Sequence, residues 1–254
     1  MSSTSFQLQH LSDAQLEGLI NERARFKQRS HDTHTETHRP QLESSSLIDS
    51  SPTTTTSELP PQIDVVLLGD SMLERFKTTG KDTQIGQQQY PRMFNAGVGG
   101  DKVENVLYRI ELGLLIMLKD KNPKLIVIHI GTNNLQPKRS LHGLHLDNYH
   151  LLLQALLRFL PVQTQILVTG LFKRRDVDDQ CVLQSNIDIK QIVNMINTHE
   201  TKRQAEENNR VHWIEPPEEI QLDHLTDNVH LNLRGYQIWD EKLYGKIQQL
   251  LNTK

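Results

Sequence analysis

The chain has 254 residues, with 31 acidic side chains, 28 basic side chains and a single cysteine, Cys181. A net charge of −3 argues against a strongly basic surface for nucleic acid, and one cysteine excludes an intramolecular disulfide bond. No stretch has the uninterrupted apolar length of a membrane span, and the N-terminus lacks the basic start and apolar run of a signal peptide. We therefore expect a soluble, cytoplasmic protein without an integral membrane segment.

The first 29 residues predict one short amphipathic helix, over about residues 12–27. Ser12 followed by Gln15 has the form of a capping box. Such a helix has one apolar face, which can dock on the rest of the protein, on a second copy in a homodimer or on another partner. The apolar residues of this face are Leu11, Leu16, Leu19, Ile20 and Phe26.

Residues 30–61 are rich in Ser, Thr, His and Pro and poor in apolar side chains. A segment of this composition buries too little apolar surface to offset the conformational entropy that folding removes. We therefore predict a disordered linker, and we expect deletion of residues 1–58 to leave folding intact. His31, His34 and His38 lie in this segment, and we interpret them as solvated side chains rather than as metal ligands.

From residue 62 the pattern alternates between short apolar runs, most of them β-branched, and amphipathic stretches, which predicts one domain over residues 62–254. Such runs are typical of parallel strands that are covered on both faces. Parallel neighbours need helical crossovers, so we predict an α/β fold, a three-layer α/β/α sandwich around a five-stranded parallel sheet. The predicted strands are 63–68, 93–98, 125–130, 166–169 and 211–214, and the predicted helices are 101–121, 143–160, 184–208 and 233–252.

Polar or glycine-rich motifs stand at the ends of the first three predicted strands, and a further motif precedes the last helix. The carboxyl ends of parallel strands meet at one edge of the sheet, where open α/β sheets bind their ligands. We therefore expect the four motifs to lie together. They are Gly69-Asp70-Ser71, Asn95 to Asp101, Gly131-Thr132-Asn133-Asn134 and Asp227-Asn228-Val229-His230.

These motifs contain the groups that acyl transfer by a serine nucleophile needs. We expect Ser71 to attack a carbonyl carbon, His230 to act as its base, and Asp227 to hold the imidazole ring. The backbone N–H groups of Ser71 and Gly100 and the side-chain amide of Asn133 are predicted to form an oxyanion hole. This chemistry requires no metal ion and no organic cofactor.

The four motifs, in this order, resemble the signature blocks of the SGNH (GDSL-type) hydrolases. The glycine-rich block and the Gly-Thr-Asn-Asn block are most similar to the platelet-activating-factor acetylhydrolase-like branch of that family. The resemblance covers about residues 63–252 and implies a flavodoxin-like fold and esterase or lipase activity. It assigns the four name-giving positions to Ser71, Gly100, Asn133 and His230, and Asp227 completes the triad.

Three other polar groups near the strand ends receive structural interpretations. Asp70 is expected to fix its own turn, and Asp101 is expected to cap the following helix. The basic run 173–175 follows the fourth predicted strand. We interpret it as a charged loop, with contact to an anionic substrate head group as the alternative.

The sequence thus predicts a serine esterase that hydrolyses carboxylic esters, with short acyl groups favoured, through an acyl-enzyme intermediate. Its partner is a small-molecule or lipid ester rather than a nucleic acid. Two alternatives use the same fold. One is an acyltransferase with the same triad, and the other is a non-catalytic binding module that recruits a partner through residues 1–60.

Overall fold

The computed structural model of the protein describes residues 8–44, 62–203 and 209–252. One five-stranded sheet has the order β2-β1-β3-β4-β5, and all neighbouring strands are parallel. This is the strand order of flavodoxin-like doubly wound folds, so the predicted fold class is confirmed. The strands are β1 Val65–Gly69, β2 Met93–Gly97, β3 Leu125–His129, β4 Gln165–Thr169 and β5 Val211–Ile214.

Helices precede the sheet and connect its strands. The predicted helix over 101–121 is divided into two helices at Gly113, whose φ of 94° lies in the left-handed region. The helices are α1 Asp13–Arg23, α2 Gln28–Thr33, α3 Arg39–Ser44, α4 Ser71–Glu74, α5 Val103–Glu111, α6 Leu114–Asp120, α7 Leu144–Phe159, α8 Asp179–Arg203 and α9 Leu233–Asn252.

Alternate residues of each strand enter two separate apolar clusters, because successive side chains point to opposite faces of a sheet. On β1, Val66 and Leu68 join one cluster, whereas Val65 and Leu67 join the other. The first cluster also contains residues of α1, α3 and α5 to α8, and the second contains residues of α4 and α9. Helices therefore cover both faces of the sheet, as a three-layer sandwich requires.

The N-terminal segment differs most from the sequence-based prediction. The capping box of Ser12 and Gln15 begins α1 as predicted. However, a π-helical turn, His34–His38, joins α2 to α3, and the whole segment from residue 28 to residue 44 is helical. The predicted disordered linker is therefore wrong for residues 30–44, and its remainder, residues 45–61, lies outside the described residues.

Burial explains why residues 30–44 are ordered despite their polar composition. Leu42 joins the first apolar cluster together with Leu16 and Ile20 of α1, so that core extends beyond the predicted domain start at residue 62. Ser30, His34 and His38 are fully buried as well, and the prediction of solvated histidines is wrong for His34 and His38. The expectation that residues 1–58 can be removed without effect on folding therefore loses its basis.

Among the helices that the structure describes, none combines the length and the hydropathy needed to cross a membrane.

Candidate active site

Ser71 is the first residue of α4 and follows β1 after a single intervening residue. That residue, Asp70, caps α4, because its Oδ1 accepts a hydrogen bond of 2.9 Å from the backbone N–H of Met72. The predicted turn role of Asp70 is thus confirmed. Burial raises the pKa of the Asp70 carboxyl to about 7, against the lowering effect of the Met72 N–H. The buried side chains of Met72 and Leu73 anchor α4 in the core and so fix the position of the Ser71 hydroxyl.

Ser71, His230 and Asp227 form a continuous hydrogen-bonded chain. The Oγ atom of Ser71 lies 2.9 Å from Nε2 of His230, and Nδ1 of His230 lies 2.7 Å from Oδ2 of Asp227. In this arrangement Nδ1–H can donate to the carboxylate while Nε2 accepts the proton of the hydroxyl. The structure therefore brings together three side chains that the sequence places up to 159 positions apart.

The Asp227 carboxylate is held by the loop that it belongs to. Its Oδ1 accepts hydrogen bonds of 2.8 Å from the backbone N–H groups of Val229 and His230. Partial burial tends to raise the pKa of this carboxyl, but these two N–H groups and the His230 ring outweigh burial and hold the pKa below its usual range. The carboxylate is therefore ionised and able to stabilise a protonated His230.

Arg175 fixes the same loop from outside, and sequence reasoning missed this role. Its guanidinium donates to the backbone carbonyls of Leu222 at 2.9 Å, Leu225 at 3.0 Å and Asp227 at 2.8 Å. Its own backbone N–H donates to the carbonyl of Asn228 at 2.9 Å. The only sequence signal for this role was the position of the basic run after β4, at the carboxyl edge of the sheet.

Arg174, the neighbouring residue, binds a different loop. It donates to the carbonyl of Thr132 at 2.6 Å and pairs with the carboxylate of Asp176 at 2.7 and 2.8 Å. Thr132 begins the 3₁₀ turn Thr132–Asn134 that carries Asn133. Both arginines of the basic run thus bind backbone carbonyls of active-site loops, rather than forming only a charged surface.

The two further candidates for the oxyanion hole, Gly100 and Asn133, lie on turns after β2 and β3. Gly100 has a φ of 74°, and a Cβ atom at this position would lie 2.9 Å from Nζ of Lys27. The left-handed backbone conformation therefore favours glycine here, and the Lys27 ammonium lies directly against it. The Asn133 side-chain amide donates to the backbone carbonyl of Asp101 at 2.9 Å, which joins the two turns.

Asp101 is not the cap of α5, and that prediction is wrong. The N-cap position belongs to Lys102, whose backbone N–H donates to Oδ1 of Asn105 at 2.9 Å. The Asp101 carboxylate is instead fully buried and lies 3.1 Å from the guanidinium of Arg109. The error arose because an acidic residue before a helix is a common capping signal, whereas the partners of Asp101 are distant in sequence.

Within the described residues, no group of three or more His, Cys, Asp or Glu side chains is arranged to hold a metal ion. At the carboxyl edge of the sheet, the groups in direct hydrogen-bond contact are the Ser71 hydroxyl, the His230 imidazole and the Asp227 carboxylate.

Part of the chain is similar in sequence to a known protein. A Drosophila melanogaster protein named platelet-activating factor acetylhydrolase IB subunit beta homolog is 37% identical over 75 residues. The match spans 29% of this chain and only 30% of the length of that relative.

Two solved structures share the fold. A family two carbohydrate esterase from Clostridium thermocellum, in complex with cellohexaose, has a TM-score of 0.53 at 14% identity, over 78% of this chain and 67% of that chain. The psychrotrophic esterase EstA from Pseudoalteromonas sp. has a TM-score of 0.50 at 15% identity, over 75% of this chain and 99% of that chain.

One family model, described as the GDSL-like lipase/acylhydrolase family, matches residues 67–238, which is more than half of the chain. The matched region contains β1 to β5 with all three members of the hydrogen-bonded chain, apart from the first two residues of β1. The chain belongs to the GDSL-like lipase/acylhydrolase family.

Proposed function

We propose that the protein is a serine hydrolase that cleaves carboxylic esters through an acyl-enzyme intermediate. The observation that carries this proposal is the continuous Ser71–His230–Asp227 hydrogen-bonded chain, with distances of 2.9 and 2.7 Å. Membership of a lipase and acylhydrolase family supports the same reaction class. A free hydroxyl is a poor nucleophile at neutral pH, and an adjacent imidazole is the usual means of activating it.

In the first step, Oγ of Ser71 forms a bond to the ester carbonyl carbon as Nε2 of His230 takes the hydroxyl proton. The tetrahedral intermediate then collapses, the bond to the leaving alcohol breaks, and His230 returns the proton to that alcohol. In the second step, His230 deprotonates water, which attacks the acyl carbon. The bond to Oγ of Ser71 then breaks, His230 returns the proton to Oγ, and the carboxylic acid leaves. Asp227 remains ionised and stabilises the imidazolium in both steps.

The oxyanion that forms in each step requires donors that are already in place. We assign the first donor to the backbone N–H of Ser71. Ser71 is the first residue of α4, and backbone N–H groups of the first helical turn have no partner within their helix. We assign the other two donors to the backbone N–H of Gly100 and the side-chain amide of Asn133. The hydrogen bond from Asn133 to Asp101 supports this role because it fixes the orientation of the amide.

We further propose esters with short acyl groups, such as acetyl esters, as substrates. The support is the similarity to the Drosophila protein, which is named as an acetylhydrolase subunit homolog. Initial rates with 4-nitrophenyl acetate, butyrate, octanoate and laurate test this directly. We expect kcat/KM to fall as the acyl chain grows, and a rise toward laurate would contradict the short-acyl proposal. Adding an alcohol as a competing acceptor and quantifying the products would reveal acyl transfer.

A fluorophosphonate probe tests the reaction class, because it modifies an activated serine covalently. We expect the wild-type protein to be labelled and Ser71→Ala to lose both labelling and ester hydrolysis. Ser140→Ala is the matched control, since Ser140 lies outside the hydrogen-bonded chain, and it should be labelled like the wild type. A folded wild-type protein that neither reacts with the probe nor hydrolyses any of the four esters would refute the proposal.

A further inference from the structure

The N-terminal arm, defined as residues 24–44, contacts the glycine-rich turn of the active site. The ammonium of Lys27 donates to the carbonyl of Gly99 at 2.6 Å and to Oδ1 of Asp101 at 3.3 Å. The hydroxyl of Ser30 donates to the same Asp101 oxygen. Two polar side chains of the arm therefore converge on one buried carboxylate.

A second set of contacts joins the arm to the helices on either side of this turn. Arg29 binds both carboxylate oxygens of Glu74 on α4, each at 3.0 Å. The backbone of Arg25 donates to the carbonyl of Glu104 at 3.0 Å and accepts from the amide of Asn105 at 2.9 Å, both on α5. The arm thus bridges the helix that begins with Ser71 and the helix that follows Gly100.

Asp101 is the residue through which these contacts reach the proposed oxyanion donors. It directly follows Gly100, and its backbone carbonyl accepts the side-chain amide of Asn133 at 2.9 Å. A displacement of Asp101 would therefore move both donors at once. Because its carboxylate is fully buried, the position of Asp101 depends on the partners of that carboxylate.

The carboxylate has one anchor in the core in addition to the two in the arm. Arg109 is fully buried, lies 3.1 Å from Oδ2 of Asp101, and donates to the carbonyls of Ala96 at 2.7 Å and Gly69 at 3.2 Å. This ion pair compensates the buried charge even without the arm. The arm adds the Lys27 ammonium and the Ser30 hydroxyl at the other oxygen, Oδ1, and these two groups fix the orientation of the carboxylate.

We propose that Lys27 and Ser30 are positioning residues of the active site, which hold Gly100 and Asn133 in place through Asp101. The inference rests on the proposed function and extends it to a segment outside the matched family region. Donors that stabilise a transition state must be placed accurately, and an error of about 1 Å can cost about 100-fold in rate. The arm is thus part of the catalytic unit rather than an appendage.

The test compares Lys27→Met and Ser30→Ala with the wild type, all as full-length chains with 4-nitrophenyl acetate as substrate. We expect kcat to fall about 10- to 100-fold with little change in KM, since the donors act on charge that develops in the transition state. Phosphonylation of Ser71 by the fluorophosphonate probe should slow in parallel, because it also places charge on an oxygen in the oxyanion hole.

A matched control removes a contact of the N-terminal segment that lies away from the active site. Asp13 on α1 is mostly exposed and pairs with Arg158 on α7 at 2.8 Å. Asp13→Asn should therefore leave kcat and phosphonylation unchanged. Melting temperatures of all variants identify losses that come from unfolding. If Lys27→Met does not fold, Ser30→Ala, which removes a single oxygen atom, decides the outcome.

Chemical rescue adds a measurement, the recovery of kcat, that a general loss of packing would not produce. Lys27→Cys treated with 2-bromoethylamine regains an ammonium at nearly the original reach, and kcat should recover. Iodoacetamide adds an uncharged group and should not restore kcat, and the wild type treated in the same ways controls for Cys181.

Wild-type kcat in both Lys27→Met and Ser30→Ala, or a change confined to KM, would overturn the inference. A wild-type protein without esterase activity would overturn the proposed function itself.

Discussion

The guanidinium of Arg175 donates a hydrogen bond of 2.8 Å to the backbone carbonyl of Asp227, although the two residues lie on different loops. The same guanidinium binds the carbonyls of Leu222 and Leu225, so a single side chain spans the loop that leads to His230. A planar guanidinium with several fixed donors suits this task, whereas a lysine ammonium offers a compact point charge. Arg175, on the loop that follows β4, therefore helps to hold the Asp227 carboxylate in its orientation.

Arg175→Met should lower kcat for a short aryl ester by about 10-fold, because small errors in the placement of a catalytic group are costly. Arg175→Lys should restore little of this loss, since lysine cannot reach three carbonyls at once. The measurement is steady-state kinetics with a melting curve for each variant. Arg139→Met, at an exposed arginine outside the site, is the control. If Arg175→Met kept full kcat, the loop would hold Asp227 without Arg175.

Asn133→Ala should lower kcat by about 100- to 1,000-fold and change KM much less, because in the proposed oxyanion hole its amide acts on charge that develops in the transition state. The variant also leaves the Asp101 carbonyl without its donor, so part of the loss would come from a shifted turn. Asn194→Ala, on the exposed side of α8, controls for the loss of an amide side chain. A rise in KM with unchanged kcat would assign Asn133 to ground-state binding instead.

Leu16→Ala should lower the free energy of unfolding by about 2–5 kcal/mol, the usual cost of truncating a buried leucine. Leu16 is 1% exposed and belongs to the apolar cluster on the first face of the sheet. Chemical denaturation measures the change, and Glu17→Ala, at the exposed neighbouring position, should shift stability by about 0.5 kcal/mol or less. A Leu16→Ala variant as stable as the control would mean that α1 is not part of the cooperative core.

The sheet and the three members of the hydrogen-bonded chain could be predicted because their signals are local. Most of the strands are short β-branched runs, and three of the motifs stand at strand ends, so parallel topology brings Ser71 to the carboxyl edge of the sheet. The fourth motif, with His230, lies in the loop between the last strand and the last helix, and that loop also starts from the carboxyl edge. Asp227 follows because it lies three residues before His230, close enough for one loop to join their side chains. Tertiary detail was not needed for any of these steps.

The arm could not be predicted because its partners are distant in sequence. Composition treats Ser30, His34 and His38 as solvated polar residues, yet all three are buried. Ser30 is satisfied by the Asp101 carboxylate, 71 positions away, and His38 packs against the ring of Phe94 with centroids 5.5 Å apart. A polar segment of this kind folds only because the rest of the chain supplies a matching surface.

The burial of His38 predicts that acid destabilises the protein. Burial, assisted by the nearby charge of Arg109, lowers the pKa of His38 to about 2, so the folded protein keeps this ring neutral. The unfolded chain takes up a proton near the ordinary histidine pKa of about 6.5. The stability that depends on neutral His38 is therefore complete above that pH, and it is lost progressively as the pH falls toward the folded-state value.

Other buried groups act over the same range of pH. Burial also lowers the pKa of His129, to about 3, and, assisted by the charge of Arg109, that of His34, to about 4, and both add to the acid sensitivity. Asp70 has the opposite sign, because its raised pKa of about 7 makes the folded protein bind a proton that the unfolded chain releases above about 4. Between about pH 4.5 and 6 the three buried histidines His34, His38 and His129 outweigh Asp70, so the free energy of unfolding should fall on acidification.

His38→Leu isolates one of these contributions. Neither ring nitrogen of His38 has a hydrogen-bond partner within the part of the chain that the structure describes, so leucine should be tolerated at pH 7. From pH 6 to pH 4.5, the free energy of unfolding of the variant should fall less steeply than that of the wild type, by about 1.4 kcal/mol per pH unit. Urea denaturation across this range measures both slopes. Parallel slopes for His38→Leu and the wild type would mean that His38 takes up its proton without leaving its buried position.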